Sequence, residues 1–416
     1  MSRPYEYALA LTSQFYFCGV PFRLDTSPDC AYGCSYCFRT LRGGNSSSAG
    51  AMASPSRLAK KLVRSGLAEA RPVDVAEELL RQRVPVHFGG LSDPFCDSST
   101  SVVSLQLLRT LGAAGHPVVL STKNIPRLAE EDALEVLGEI PHLAIQCSLT
   151  TLDEKVSRLI EPGAPSPGAR LAAARRLSAL GHHMILRLQP AIPSLLDEMA
   201  DSSISRLAAA GFRHVAVECL KIPVESGARR RVGAASSELR QAVERLEAGP
   251  RIRVGREWLM PTAERWRMLR PLISSIRKHG MTYGAADYGL YHLGDTANCC
   301  GVSALPGFGG WFRANITEAI RSVPEGPVGF DLLRESWTPG GRIVRLMNSR
   351  SRVDGATTVL DYLRLRWNRP GTTNAPDSYL GVSCTGKRDC QGDYVYFRHR
   401  LEDDPTSAAG GDRDDG

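Results

Sequence analysis

Between residues 84 and 219 the chain alternates two apolar patterns. Short runs at 84–88, 118–121, 143–148, 184–188 and 214–219 are too brief for helices and rich enough in aliphatic residues for buried strands. The segments between them, at 99–114, 130–138, 168–180 and 197–210, repeat apolar residues at helical spacing, and Gly115 and Gly181 stop two of them. Upstream, FRLDTS (22–27) reads as a first strand. Residues 73–82 read as a helix carrying Val73, Ala76, Leu79 and Leu80 at helical spacing. Six strands with intervening helices predict a parallel sheet with right-handed crossovers. The expected fold class is α/β, a partial (β/α)6 TIM-like barrel with a mixed C-terminal extension. In such barrels the loops after the strands carry the chemistry.

The flanks depart from this pattern. Residues 1–22 read as an N-terminal extension over the barrel mouth, and 23–221 as the core. Residues 45–56 (NSSSAGAMASPS) read as a flexible loop. After Leu220 the character changes: 229–231, 236–248 and 256–279 read as helices, 281–286 as a strand, and the rest to about 400 as irregular. Residues 222–400 are therefore expected to form a C-terminal extension, a lid or an extra metal or redox site. Residues 401–416 are expected to be a disordered acidic tail. No internal repeat is evident.

Composition narrows the class. The chain has 416 residues, 43% hydrophobic and 23% charged, enough for one large α/β domain with additions or for two domains. The first residues show no basic region leading into an apolar core, so no signal peptide is expected. No apolar run approaches the roughly 20 residues that span a bilayer. Eleven cysteines in a chain of this length fit a reducing cytoplasm better than a disulfide framework. Net charge is +7, but 401–416 holds six acids and one arginine, so residues 1–400 carry +12. A solvated arginine-rich surface accounts for this more simply than steering of a phosphate-bearing substrate or nucleic acid.

The chemistry concentrates in Cys30-Ala-Tyr-Gly-Cys34-Ser-Tyr-Cys37. Closely spaced thiolates on one loop suit an iron–sulfur cube. Three protein thiolates on a [4Fe–4S] cube leave one iron open to bind and activate a ligand. A structural zinc knuckle would need a fourth ligand at matched spacing, and the closest downstream histidine is His87. C-x3-C-x2-C with an aromatic before the last cysteine resembles the radical S-adenosylmethionine (SAM) enzymes. That resemblance implies a [4Fe–4S] cluster held by Cys30, Cys34 and Cys37. It further implies SAM chelated to the open iron and a 5′-deoxyadenosyl radical formed by one-electron reduction, with a reducing partner such as flavodoxin or ferredoxin. Gly89-Gly90, ending the second strand, would then meet the SAM amino group. Ser121 and Lys123, ending the third, and Arg187, ending the fifth, are candidates for the rest of SAM, with the Ser148 hydroxyl near the ribose.

LSDPF (91–95), LSTKN (120–124), SLTTLDEKVSRLIEPGAPSPGARL (148–171) and LRLQPAIP (186–193) follow the cysteine loop in order. Together they resemble the spore photoproduct lyase-like branch, often labelled DNA repair photolyases. Lyases of that type carry a hydrogen-donor cysteine just before the segment that Leu91-Ser92-Asp93 matches, where this chain has Gly90. Alternative donor thiols are Cys96, Cys147, Cys219 and the pair Cys299-Cys300. Cys299 and Cys300 with Cys384 and Cys390 also make a candidate second Fe–S cluster or zinc site, against the reading of unligated structural cysteines. The expected activity is hydrogen abstraction from a small-molecule substrate such as a nucleoside, a sugar or another specialised metabolite. The outcome would be epimerisation, dehydrogenation, rearrangement or bond cleavage. Two rivals stand beside it: a nucleic-acid lesion lyase, less favoured because aromatics do not interleave the arginines, and a non-enzymatic Fe–S electron carrier.

Overall fold

Seven strands come first in the chain: β1 (Leu9–Leu11), β2 (Phe22–Leu24), β3 (Val86–Phe88), β4 (Val118–Thr122), β5 (Leu143–Ser148), β6 (His183–Ala191) and β7 (Phe212–Cys219). A small antiparallel flap follows, of β8 (Ile222–Pro223), β9 (Ile252–Val254) and β10 (Glu257–Leu259) in the order β8-β10-β9. Then β11 (Thr282–Ala285) returns to pair parallel with β7. The central sheet has eight strands in the order β1-β2-β3-β4-β5-β6-β7-β11, parallel from β2 to β11, with β1 antiparallel on β2. A second small sheet holds β12 (Gly326–Val328), β13 (Val382–Arg388) and β14 (Tyr394–Arg398). These coordinates are a computed structural model that describes residues 4–41, 50–196, 201–347 and 357–401.

The sheet is thus the α/β, largely parallel one expected. Among the described residues no ladder joins β1 to β11, so closure into a barrel is not seen. Four expectations change. The segment 1–22 supplies a strand of the sheet rather than only a cover. β11 lies inside the assigned C-terminal extension yet belongs to the central sheet. Residues 257–259 are a strand, and the helix begins only at Thr262 (Thr262–Lys278). The stretch to 400 holds the helices Ile316–Arg321 and Val359–Trp367 and the β12-β14-β13 sheet. Residues 45–49, 197–200 and 402–416 of the expected loop, helix and tail lie outside the described residues. The loop ends where Ser54 caps the helix Pro55–Gly66.

Local signals set the helices. Asp97 caps the helix Ser98–Ala113 in a capping box, accepting from Thr100 N at 2.8 Å while Thr100 Oγ1 accepts from Asp97 N at 3.2 Å. Ser166, with Pro167 at the first helical position, starts Pro167–Ala179. Pleating then sorts the strand residues, since successive side chains point to opposite faces. One face carries Val86, Phe88, Val118, Leu120, Ile145, Leu186, Val215 and Val217 into a core with helix residues such as Leu107, Val136, Leu177 and Leu207. On the other face Val119, Ala144 and Ile185 pack with Val20, Cys300, Val302 and Phe308. Further along the strands this second face turns polar, at Arg23, His87, Ser121, Gln146, Ser148, Arg187 and Gln189. All but Ser121 and Gln146 remain partly open.

A fully buried ion pair ties the end of β7 to the return strand. Arg265, on Thr262–Lys278, pairs with Asp287 just beyond β11, and neither side chain is exposed. Asp287 also accepts from Cys219 N at 2.9 Å, and Arg265 Nε donates to Met260 O at 2.9 Å. Asp287→Ala leaves a buried guanidinium without its counter-charge, and is expected to lower unfolding free energy by about 3–5 kcal/mol in a urea titration.

Four histidines, of which His116, His214 and His292 are buried and His87 is partly so, set an acid limit on stability. Burial pushes His87 and His292 down to about 3, and His116 and His214 down to about 4. Unfolded histidines titrate near about 6.5, so below that pH the unfolded chain takes up protons that the folded chain refuses. Their contribution is present above about pH 6.5 and is lost as pH falls toward the folded values. Urea midpoints at pH 7.5 and 5.0 check this, with the lower midpoint expected at pH 5.0.

Candidate functional site

β2 runs directly into the cysteine loop, so Cys30, Cys34 and Cys37 lie beyond the C-terminal end of the first parallel strand. All three are half-buried and free. The segment 160–163 buttresses this loop. Ser35 N donates to Ile160 O at 3.0 Å, and Gly163 N to Tyr32 O at 3.1 Å. A Cβ on Gly163 would lie 2.8 Å from Tyr32 Cα, so only glycine lets the two backbones meet. Tyr36, between Cys34 and Cys37, donates its hydroxyl to Glu161.

Glu161 is the hub of the site. It is 2% exposed and accepts from Lys123 Nζ at 2.8 Å and Thr150 Oγ1 at 3.0 Å; its other oxygen lies 2.7 Å from a guanidinium nitrogen of the fully buried Arg170. Burial pushes this carboxyl up, but Lys123 and Arg170 together outweigh it and hold it down to about 2. One buried carboxylate therefore joins the cysteine loop to the ends of β4 and β5 and to the helix Pro167–Ala179.

Two further aspartates fix the turn after β3. Asp25 is buried, pairs with Arg23 at 2.6 Å, and accepts from Leu91 N at 2.7 Å and Ser92 N at 3.4 Å. Asp93 accepts from Thr122 Oγ1 at 2.7 Å, Phe95 N at 3.0 Å and Lys123 N at 2.6 Å. Burial raises both carboxyls against the hydrogen bonds that lower them. Gly89 has φ +88°, and a Cβ there would lie 2.3 Å from Ser121 O. The fold alone therefore demands glycine at 89. At Gly90 a Cβ would meet Arg23 Cδ at 2.8 Å.

On the polar face, His87 Nε2 lies 2.7 Å from Ser121 Oγ, which donates to Gln146 Oε1 at 2.6 Å. Arg187 Nε donates to Gln189 Oε1 at 2.5 Å. Ser121 is buried and its hydroxyl engaged, and the Lys123 ammonium is engaged by Glu161 and Tyr36. Arg187 and Ser148 remain partly open.

The candidate donor thiols separate. Cys147 and Cys219 follow the parity of Ile145 and Val217 and lie in the helix-side core, so the pleat turns both away from the open face. Cys299 and Cys300 cross the inner face of the sheet, where His214 Nε2 lies 2.8 Å from Cys299 O. Cys18, which the sequence did not single out, lies close enough to Cys299 and Arg187 for both to act on its charge. Burial pushes Cys18 up to about 12 and Cys299 up to about 11. Cys384 sits on β13 beside Tyr396 and Cys390 is exposed after it, so the structure does not bring them to Cys299 and Cys300. Cys96 lies close enough to Cys30 for each thiol to act on the other, which holds Cys30 below the ordinary thiol range and Cys96 above it. Burial pushes Cys34 up to about 12, with Lys123 pulling it back.

Among the described residues no three His, Cys, Asp or Glu side chains are gathered to hold a metal ion. The fit of the cysteine loop to an Fe–S cluster rests on its donor set, three soft thiolates on one loop, partly open and near enough for Cys30 and Cys37 to act on Cys34. Sequence reasoning missed Arg23, His87, Gln146, Glu161 and Arg170. The available signal was a polar residue standing at an alternate position in an apolar run, as with Gln146 in LAIQCS.

No known protein-family profile matches the chain. Uncharacterised proteins of Mycobacterium bovis and Mycobacterium tuberculosis are 28% identical to it over 145 residues, 33% of this chain and 41% of theirs. The match thus spans well under half the length of these relatives. Among solved structures, the chain is similar to a spore photoproduct lyase with bound AdoMet and dinucleoside spore photoproduct, at 15% identity and a TM-score of 0.41, over 65% of this chain and 78% of that one. It is also similar to Streptococcus suis SuiB bound to S-adenosylmethionine, at 14% identity and a TM-score of 0.40, over 64% of this chain and 50% of that one. No described helix is long and apolar enough to cross a membrane.

Proposed function

We propose that the chain is a radical SAM enzyme acting on a small-molecule substrate, with Cys30, Cys34 and Cys37 holding a [4Fe–4S] cluster. The observation that carries this reading is the three-thiol loop beyond the end of β2, tied through Tyr36 and Glu161 to the ends of β4 and β5. When bound, the cluster and SAM would supply a 5′-deoxyadenosyl radical. The chain's own work is positioning and the exclusion of water. Arg187, partly open and held by Gln189, is the guanidinium free to meet a SAM carboxylate. Ser148 offers a hydroxyl at the end of β5, and backbone groups of Gly89 and Gly90 line the turn. Lys123 and Ser121 act as positioning residues, because their polar atoms already hold Glu161 and Gln146 in place. Cys299, with Cys18 beside it, is the candidate hydrogen donor on the open face.

Anaerobic reconstitution with iron and sulfide, followed by SAM and dithionite, tests the reading. The expected result is about four irons per chain and formation of 5′-deoxyadenosine. Bound iron without deoxyadenosine, across a panel of nucleosides and sugars, would instead support an electron carrier.

A second reading, nucleic-acid lesion repair, has one observation in its favour. The Trp258 ring carries Arg229 at 4.2 Å and Arg251 at 4.1 Å, with Arg230, Arg231, Arg253 and Arg256 exposed around it. It predicts duplex binding that weakens steeply with salt and is lost in Arg230→Glu/Arg253→Glu. Absence of such binding leaves the small-molecule reading alone.

A further inference from the structure

We propose that the flap β8-β10-β9 and the helix Ser226–Gly233 form the docking surface for an acidic electron-transfer protein of the flavodoxin type, which delivers the electron that the cluster needs. The proposal rests on the radical SAM reading of the cysteine loop. The flap does not stand apart from that loop. Ile222, Val232 and Met260 share one buried apolar cluster with Ile160, and Tyr36 and Trp258 both pack against it. Tyr36 lies between Cys34 and Cys37, and Ile160 O accepts from Ser35 N at 3.0 Å. The same side chains thus back both the flap and the thiol loop, so a protein seated on the flap sits beside the proposed cluster.

Charge says what kind of partner fits. Residues 222–260 hold eight arginines, no lysine and five acids. Of those acids, Glu247 pairs with Arg229 at 2.8 Å and Glu257 is buried. The arginines at the centre are braced. Arg229 and Arg251 stack on the Trp258 ring at 4.2 and 4.1 Å, and Arg251 also donates to Leu246 O at 3.0 Å and Glu247 O at 2.7 Å, at the end of the helix Ser237–Ala248. Arg230, Arg231, Arg253 and Arg256 are exposed around them. A preset positive surface steers an acidic one in from a distance and holds it with little loss of side-chain freedom. Nucleic acid would be held here by charge alone, because two guanidiniums already occupy the indole that a base would stack on. The transfer balances as one electron: the donor's reduced flavin is oxidised by one electron and the cluster is reduced by one, with no atom passed between the two proteins.

The test uses the full chain, reconstituted under nitrogen, with a purified acidic flavodoxin as the probe. Three forms are compared: the parent, Arg231→Glu/Arg256→Glu on the flap, and Arg175→Glu/Arg206→Glu, a matched charge reversal at exposed positions on two other helices. Calorimetric titration is expected to show the parent binding flavodoxin about tenfold more weakly at about 200 mM salt than at about 50 mM. At the lower salt the flap reversal should weaken binding by about tenfold, and the matched reversal by less than about threefold. Deoxyadenosine formation driven by reduced flavodoxin should fall with binding in the flap variant, while formation driven by dithionite stays at the parent's level. A parent that does not bind flavodoxin overturns the proposal, as does a flap reversal that weakens binding no more than the matched one. A DNA duplex that displaces flavodoxin from the parent at equal concentration gives the surface to nucleic acid and overturns it too. If dithionite yields no deoxyadenosine in the parent, the radical SAM reading fails, and the binding titration then decides the docking surface by itself.

Discussion

Cys34→Ala is expected to abolish 5′-deoxyadenosine formation, by about 100-fold or more, and to leave well under one cluster per chain after reconstitution. Cys34 is the middle one of the three proposed ligands, between Cys30 and Cys37, and its loss leaves two thiolates where the proposed site needs three. Burial keeps its thiol protonated up to about pH 12 in the metal-free chain. Metal must therefore displace a proton at this position, and loading should be stronger at pH 8.5 than at pH 6.5. The residue is half-buried on a loop outside the apolar clusters. The metal-free variant should thus unfold within about 1 kcal/mol of the parent in urea. Iron and deoxyadenosine measured on the same samples check both halves. A Cys34→Ala protein that still forms deoxyadenosine removes the loop from the cluster assignment.

Glu161→Ala should be the most damaging change that touches no cysteine. The carboxylate sits between Lys123 and Arg170, with Tyr36 and Thr150 completing its hydrogen bonds. Its removal leaves two cations facing each other across a buried space. A loss of about 3–5 kcal/mol is expected. Glu161→Gln keeps acceptors in place and should lose less. The acid dependence has a definite sign. The folded carboxyl is held down to about 2, well below an unfolded glutamate at about 4.3. Its contribution is complete above the unfolded value and is lost as pH falls toward the folded one. The stability gap between parent and Glu161→Gln should therefore narrow between pH 5 and 3. Because Tyr36 stands between two of the proposed cluster thiols, metal uptake should fall in Glu161→Ala even below its unfolding midpoint. A variant that loses stability but loads iron as the parent does would confine Glu161 to holding the fold.

The parallel core was legible because its strands and helices differ in period, and capping and stopping residues such as Asp97, Gly115 and Gly181 mark where one gives way to the next. β1 was not, because three residues on an edge carry no period. β11 was legible as a strand but not as a member of the main sheet, since the flap and a long helix separate it from β7 and local pattern says nothing about pairing at a distance. The segment 257–259 was absorbed into the helix that follows it because Trp258 and Leu259 extend that helix's apolar spacing. The cysteine loop stands out in the sequence because its three thiols are neighbours there. Glu161 with Lys123 and with Arg170 could not, because each pair meets only in the folded chain. The placement of Cys147 and Cys219 on the helix side was available from strand alternation, and weighing them by nearness to the strand ends alone hid it.

The return of residues 299–308 across the inner face of the sheet bears on how the chain is born. Val119, Ala144 and Ile185 find their apolar neighbours Cys300, Val302 and Phe308 only after more than a hundred further residues have been made. On the ribosome, the parallel strands β2 to β7 emerge with that face bare, and the sheet's far edge stays open until β11 arrives. Such exposed sheet surface invites association between nascent chains. A chain ended at residue 297 would carry all three proposed cluster cysteines and most of the site, yet would collect in inclusion bodies. The slow step in making this protein would then lie in the wait for its own distant segment.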